Sequence, residues 1–124
     1  MTRTLRQSAH EVSGVKARAL SAAARIQAEQ GAHDLRLRAI AEAAGIGLAS
    51  IYHYFASKEA LLLSLALIGY EDLRRDIEGS QAVHPSVSPM RAGARAFFDF
   101  AQSRPSLFSL MCNERLLARH ETLR

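Results

Sequence analysis

The chain has 124 residues, 48% of them hydrophobic and 23% charged, with a net charge of +4; that is the composition of a globular domain, or of a small domain joined to part of a second, and not of a disordered or fibrous chain. Its single cysteine, Cys112, excludes an internal disulfide and a cysteine-rich zinc site. The apolar run Ala60 to Leu63 is far short of the roughly 20 residues that cross a bilayer, and Met1 to Gly14 is polar and lacks the apolar core of a signal peptide, so the chain is expected in the cytoplasm with no membrane partner.

Helical periodicity dominates, and no alternation is long enough for a strand. Residues 1–13 read as a flexible arm. A first helix is predicted from Val15 to Gln30, with Val15, Ala19, Ala22, Ala23 and Ile26 on one stripe and Gly31 as its C-terminal cap. A short second helix covers Leu37 to Ala44 and stops at Gly45; a third covers Leu48 to Phe55. Ser57 is a good N-cap for a fourth, whose stripe of Leu61, Leu62, Leu65, Ile68 and Leu73 carries it to about Glu78. Gly79 to Val87 is polar, contains Pro85 and is predicted as a loop. Ser88 and Pro89 open a fifth helix, in which Met90, Ala94, Phe97, Phe98 and Ala101 make the apolar face. Arg104-Pro105 breaks it and starts a sixth, which the tail from Leu116 is expected to prolong.

The informative stretch is Leu37 to Phe55, LRAIAEAAGIGLASIYHYF. It fits two helices joined by a tight turn, the helix-turn-helix. The first helix needs a small residue where the second crosses it, and Ala41 is there; the turn needs a residue that tolerates positive φ, and Gly45 is there. Ile40, Ala44, Ile46 and Ile51 fill the inward offsets. A small charge asymmetry goes the same way: residues 1–60 carry eight basic and five acidic side chains, residues 61–124 eight and seven. A basic surface suits a nucleic-acid partner, although a solvated surface explains so small an excess equally well.

The continuation through Phe55 makes the pattern more specific. IAEAAGIGLASIYHYFASKEALL resembles the DNA-binding domain of the tetracycline-repressor (TetR) family of transcriptional regulators, over about residues 15–75. The resemblance implies an all-α fold: a three-helix head over 14–60, then a connecting helix and a partial helical regulatory domain over 61–124. It implies a third helix in the major groove of double-stranded DNA, where residues near its N-terminus reach base edges; here these are Leu48, Ala49 and, further along, Tyr52. Arg38 matches a family position that can touch a base. Ser50, His53, Tyr54 and Lys58 match positions that contact the phosphate backbone.

Two positions depart from the family pattern. Leu48 stands where a polar or basic residue is common, and offers only apolar contact, for instance to a thymine methyl. Arg36 stands where a hydroxyl usually caps the second helix; it cannot cap, but brings a charge to the phosphates. The resemblance further implies a dimer on a near-palindromic operator and release by a small-molecule effector, for which Phe97, Phe98, Phe108 and Met111 are the candidate contacts. Members usually continue with two long dimerisation helices beyond the length of these 124 residues. No catalytic residues, metal site or cofactor are predicted: the histidines at 10, 33, 53, 84 and 120 include no pair at metal-ligand helical spacing. The rival reading is a helical ligand- or protein-binding module without specific DNA readout.

Overall fold

The computed structural model describes the backbone of residues 2–31, 35–83 and 86–122, and the side chains of those from 14 to 118. All regular structure among them is helical: α1 (Thr2–Gln30), α2 (Leu37–Ala44), α3 (Leu48–Tyr54), α4 (Lys58–Val83), α5 (Pro89–Ser103), α6 (Pro105–Met111) and α7 (Glu114–Thr122). The chain divides into two compact units, residues 1–61 and 62–124.

In the first unit α1 packs on α2 and α3, and α2 on α3. The α1 stripe of Ala19, Ala22, Ala23 and Ile26 is buried, so small side chains let the two short helices come close. Ile40, Ala41, Ile51, Phe55 and Leu61 complete this core together with Leu35, which precedes α2 and belongs to no helical stripe. Ala44 and Ile46 are only half-buried. Gly31 caps α1 at φ 83°, its N–H donating to the Gln27 carbonyl at 2.8 Å. The flexible arm expected over residues 1–13 is replaced, from Thr2 on, by further turns of α1. Thr2 to Ser13 contains neither Pro nor Gly, so nothing in its backbone chemistry stops the helix.

The second unit departs further from the periodicity. Helix α4 continues to Val83 through much of the segment expected as a loop. The polar residues that suggested a loop bond sideways instead: Ser80 Oγ donates to the Ala92 carbonyl at 3.1 Å and Gln81 Nε2 to that of Pro89 at 2.9 Å. Pro85 lies outside the described residues. Ser88 caps α5 as expected, accepting from Arg91 N–H at 3.2 Å. The expected apolar face of α5, however, is turned to solvent, Met90 being 84% and Phe98 60% exposed. The buried side is Ala92, Gly93 and Phe100, with Gly93 against Ile77 and Gln81.

Helix α4 likewise turns Ile68 outward and buries Gly69, which the Met111 and Leu107 side chains of α6 crowd. Tyr70 Oη donates to the Met111 carbonyl at 2.5 Å. The tail is a separate helix and not a prolongation of α6. Asn113 makes the break: its N–H donates to the Leu110 carbonyl at 3.1 Å while its side-chain oxygen caps Leu116 N–H at 3.2 Å.

Candidate nucleic-acid interface

The geometry of the α2–α3 corner follows from one residue. Gly45 ends α2 at φ 69°, in the left-handed region that costs a residue with a Cβ roughly 1–2 kcal/mol. The chain reverses there because Ile46 N–H donates to the Ala41 carbonyl at 3.0 Å and Gly45 N–H to that of Glu42 at 3.2 Å, satisfying the end of α2. Gly47 is extended and starts α3, its carbonyl accepting from Ser50 and Ile51 N–H at 3.0 and 3.3 Å. Ile51 and Phe55, four residues apart, are both buried and fix which side of α3 faces inward.

The opposite side carries the expected contacts. Ala49, Ser50, Tyr52 and His53 are exposed, Tyr52 to 53%, while Leu48 and Tyr54 are half-buried. With 3.6 residues per turn, Ala49 and His53 point most directly away from Ile51 and Phe55, Leu48 and Tyr52 flank them on one side, and Ser50 and Tyr54 on the other. His53 meets the Tyr54 ring edge-on at 5.0 Å. Arg36 and Arg38, at the start of α2, are exposed and have no ion-pair partner among the described residues. Arg36 is extended, with φ −121°, and makes no side-chain cap. Lys58 opens α4, where Ser57 Oγ accepts from Ala60 N–H at 3.1 Å. The α2–α3 corner and the start of α4 thus hold all nine expected residues within the first unit.

One basic residue was not singled out from sequence as a contact. Lys16 of α1 places its ammonium 5.9 Å from the centroid of the Phe55 ring, beyond the end of α3. The ring face favours the cation, and this holds a further positive charge beside the end of α3. No helical spacing links residues 39 positions apart, so only the folded chain reveals the pair.

The four residues expected to meet an effector do not converge. Phe97 and Phe108 pack edge-on at 5.4 Å, Phe98 faces solvent, and Met111 is buried against Gly69. The second unit does contain an open groove of about 1060 Å³ between α4 and α5, with Arg75, Asp76, Val83, Arg91, Arg95 and Phe100 in its walls, and none of those four among its described lining. No group of three or more metal-ligating side chains occurs among the described residues, and His53 is the one histidine whose side chain they include. No described helix is long and apolar enough to cross a membrane.

Comparison with known proteins agrees with this corner. Residues 19–65 match the family model for bacterial regulatory proteins of the tetR family. The chain is 36% identical over 73 residues to the HTH-type transcriptional regulator UidR of Escherichia coli strain K12, and equally to those of Escherichia coli O157:H7 and Shigella flexneri. The match covers 56% of this chain and 37% of each relative's length. All of the expected DNA contacts fall within residues 19–65; Lys16 lies just before them.

Proposed function

We propose that the chain, whose residues 19–65 match the family model for bacterial regulatory proteins of the tetR family, is a sequence-specific DNA-binding regulator of transcription, acting in the cytoplasm as a repressor. The observation that carries the reading is the outer side of α3. It is a short helix set by the Gly45 turn, with its inner side committed to the core and Ala49, Ser50, Tyr52 and His53 left to solvent. Such a helix fits the major groove. Ser50, His53, Tyr54 and Lys58 supply phosphate contacts that set its register, Arg36 and Lys16 add charge nearby, and Arg38 takes a base edge.

Dimerisation and effector release belong to the same proposal. The outward Met90 and Phe98 of α5 support a surface that pairs with a second protein chain. The groove between α4 and α5 supports the effector site better than the Phe97, Phe98, Phe108 and Met111 set. An effector bound there acts by favouring a conformation with lower operator affinity.

The test is fluorescence anisotropy of the chain on a duplex from upstream of its own gene, against a scrambled duplex, across a range of salt. A dimer neutralising about eight phosphates gives a log–log salt slope of about −7, and Lys58→Ala flattens it by about one unit on every sequence. Arg38→Ala instead lowers preference at one base position, by roughly 1–3 kcal/mol. Equal and weak binding to both duplexes refutes the proposal.

A further inference from the structure

The N-terminal turn of α3 has an unusual chemistry for a reader of bases. Gly47 has no side chain, half-buried Leu48 and exposed Ala49 have only hydrocarbon, and Tyr52, one turn on, presents an exposed ring with its hydroxyl at the far end. The hydrogen-bonding side chains Ser50 and Tyr54 lie along a different side of the helix. The Leu48–Ala49–Tyr52 side of α3 thus has no short donor or acceptor to offer a base edge; Ser50, exposed in the same turn, lies about 100° further round the helix than Ala49. In the major groove all four base pairs present donors or acceptors, but only thymine presents an apolar group, its C5-methyl. A hydrocarbon surface pressed on a bare donor or acceptor desolvates it without replacing the bond; against a methyl it loses nothing and buries apolar area.

Resting on the DNA-binding reading above, we infer that Leu48 and Ala49, flanked by the Tyr52 ring, read the C5-methyl group of a pyrimidine and not the hydrogen-bonding pattern of a base pair. Thymine carries that methyl, and 5-methylcytosine carries the same group at the same ring position. The chain therefore accepts either pyrimidine at the contacted position, and discriminates against uracil and unmodified cytosine there. Polar readout falls to Arg38, which reaches the groove from α2 and has no ion-pair partner among the described residues.

The test uses the 124-residue chain and a duplex selected by it from a randomised pool. Each thymine of the selected site is replaced singly by deoxyuridine, which removes the methyl and keeps every hydrogen bond. At the contacted thymine affinity falls about fourfold, because a buried methyl-sized group contributes roughly 0.8 kcal/mol. At the same position a 5-methylcytosine–guanine pair restores affinity to within about twofold of thymine–adenine, and an unmethylated cytosine–guanine pair does not. Leu48→Ser abolishes the thymine-to-uracil ratio while non-specific binding persists. Should that variant fail to fold, Ala49→Ser supplies the second readout.

A site whose thymines can all become uracil without loss overturns the inference and leaves the DNA-binding reading standing. So does a site at which 5-methylcytosine binds no better than cytosine, since hydrogen bonds are then being read. Failure to select any duplex removes the DNA-binding reading itself, and this inference with it.

Discussion

Helices α1 and α5 both carry apolar stripes and meet opposite fates. On α1 the stripe of Ala19, Ala22, Ala23 and Ile26 is the buried side, covered by α2 and α3. On α5 the larger stripe of Met90, Phe97 and Phe98 is the exposed side, and Ala92 and Gly93 are buried. Close approach explains the difference: the α4 side chains come nearest where α5 is smallest, and a Cβ on Gly93 would stand 3.1 Å from Gln81 Nε2 and 3.4 Å from Ile77 Cγ2. A stripe marks the face that gains from being covered; it does not say that the same chain covers it. The charges divide in a similar way. Arg36 and Arg38 of the first unit have no ion-pair partner among the described residues, whereas Arg74, Arg75 and Arg104 of the second are paired with Glu71, Glu78 and Asp72, and Arg91 and Arg95, in the groove walls, are not in an ion pair with a described residue. Unpaired guanidinium groups remain available to phosphates and bases.

Substitution on the two kinds of stripe gives the largest contrast. Ile51→Ala removes a fully buried side chain from the first unit and lowers stability by about 2–5 kcal/mol in urea melts followed by circular dichroism. Phe98→Ala removes a larger side chain that is 60% exposed, and changes stability by less than about 0.5 kcal/mol. Equal losses would mean that α5 is covered after all, in whatever oligomer the measurement contains.

Glycines sharpen the comparison at the next level. Gly69→Ala puts a Cβ 2.7 Å from Met111 Sδ and 3.2 Å from Leu107 Cγ, and this overpacking costs about 1–3 kcal/mol by the same melts. Gly45→Ala meets nothing within 4 Å, yet costs about 1–2 kcal/mol because φ is 69°. The causes are separable: Met111→Ala relieves the first loss, while no neighbouring truncation relieves the second. A smaller effect comes from Ser57→Ala, which deletes the α4 cap and costs about 1 kcal/mol.

The same contrast explains what could be read from sequence. The all-α fold, the α2 bounds, the turn at Gly45 and the caps at Ser57 and Ser88 follow from residues acting over three or four positions. Failures came where distant residues decide. The extension of α4 depends on Ser80 and Gln81 bonding to α5, the orientation of α5 on Gly93, and the burial of Met111 on Gly69. The effector candidates Phe97, Phe98, Phe108 and Met111 follow from aromatic spacing along the chain, whereas the groove is walled by residues of two helices, Arg75, Asp76 and Val83 of α4 and Arg91, Arg95 and Phe100 of α5. In the α2–α3 corner the local motif was enough to name residues that the fold brings to one region, apart from Lys16.

The smallest expected effect tests the paired charges of the second unit. The Arg74 hydrogen bond is the main cause that holds Glu71 below the ordinary carboxyl value of 4.5, with Arg75 adding to it. A carboxyl whose pKa is lower in the folded than in the unfolded chain contributes stability that is complete above pH 4.5 and vanishes as pH falls through the depressed native value. The native chain therefore melts slightly above Glu71→Gln at neutral pH, and the gap closes on acidification below pH 4.5. Since both partners are exposed, about 0.5 M salt narrows the gap at neutral pH as well. A gap that persists unchanged to the acid limit would assign the loss to packing by the Glu71 stem, and the electrostatic half of the comparison would then rest on Arg104 and Asp72 alone.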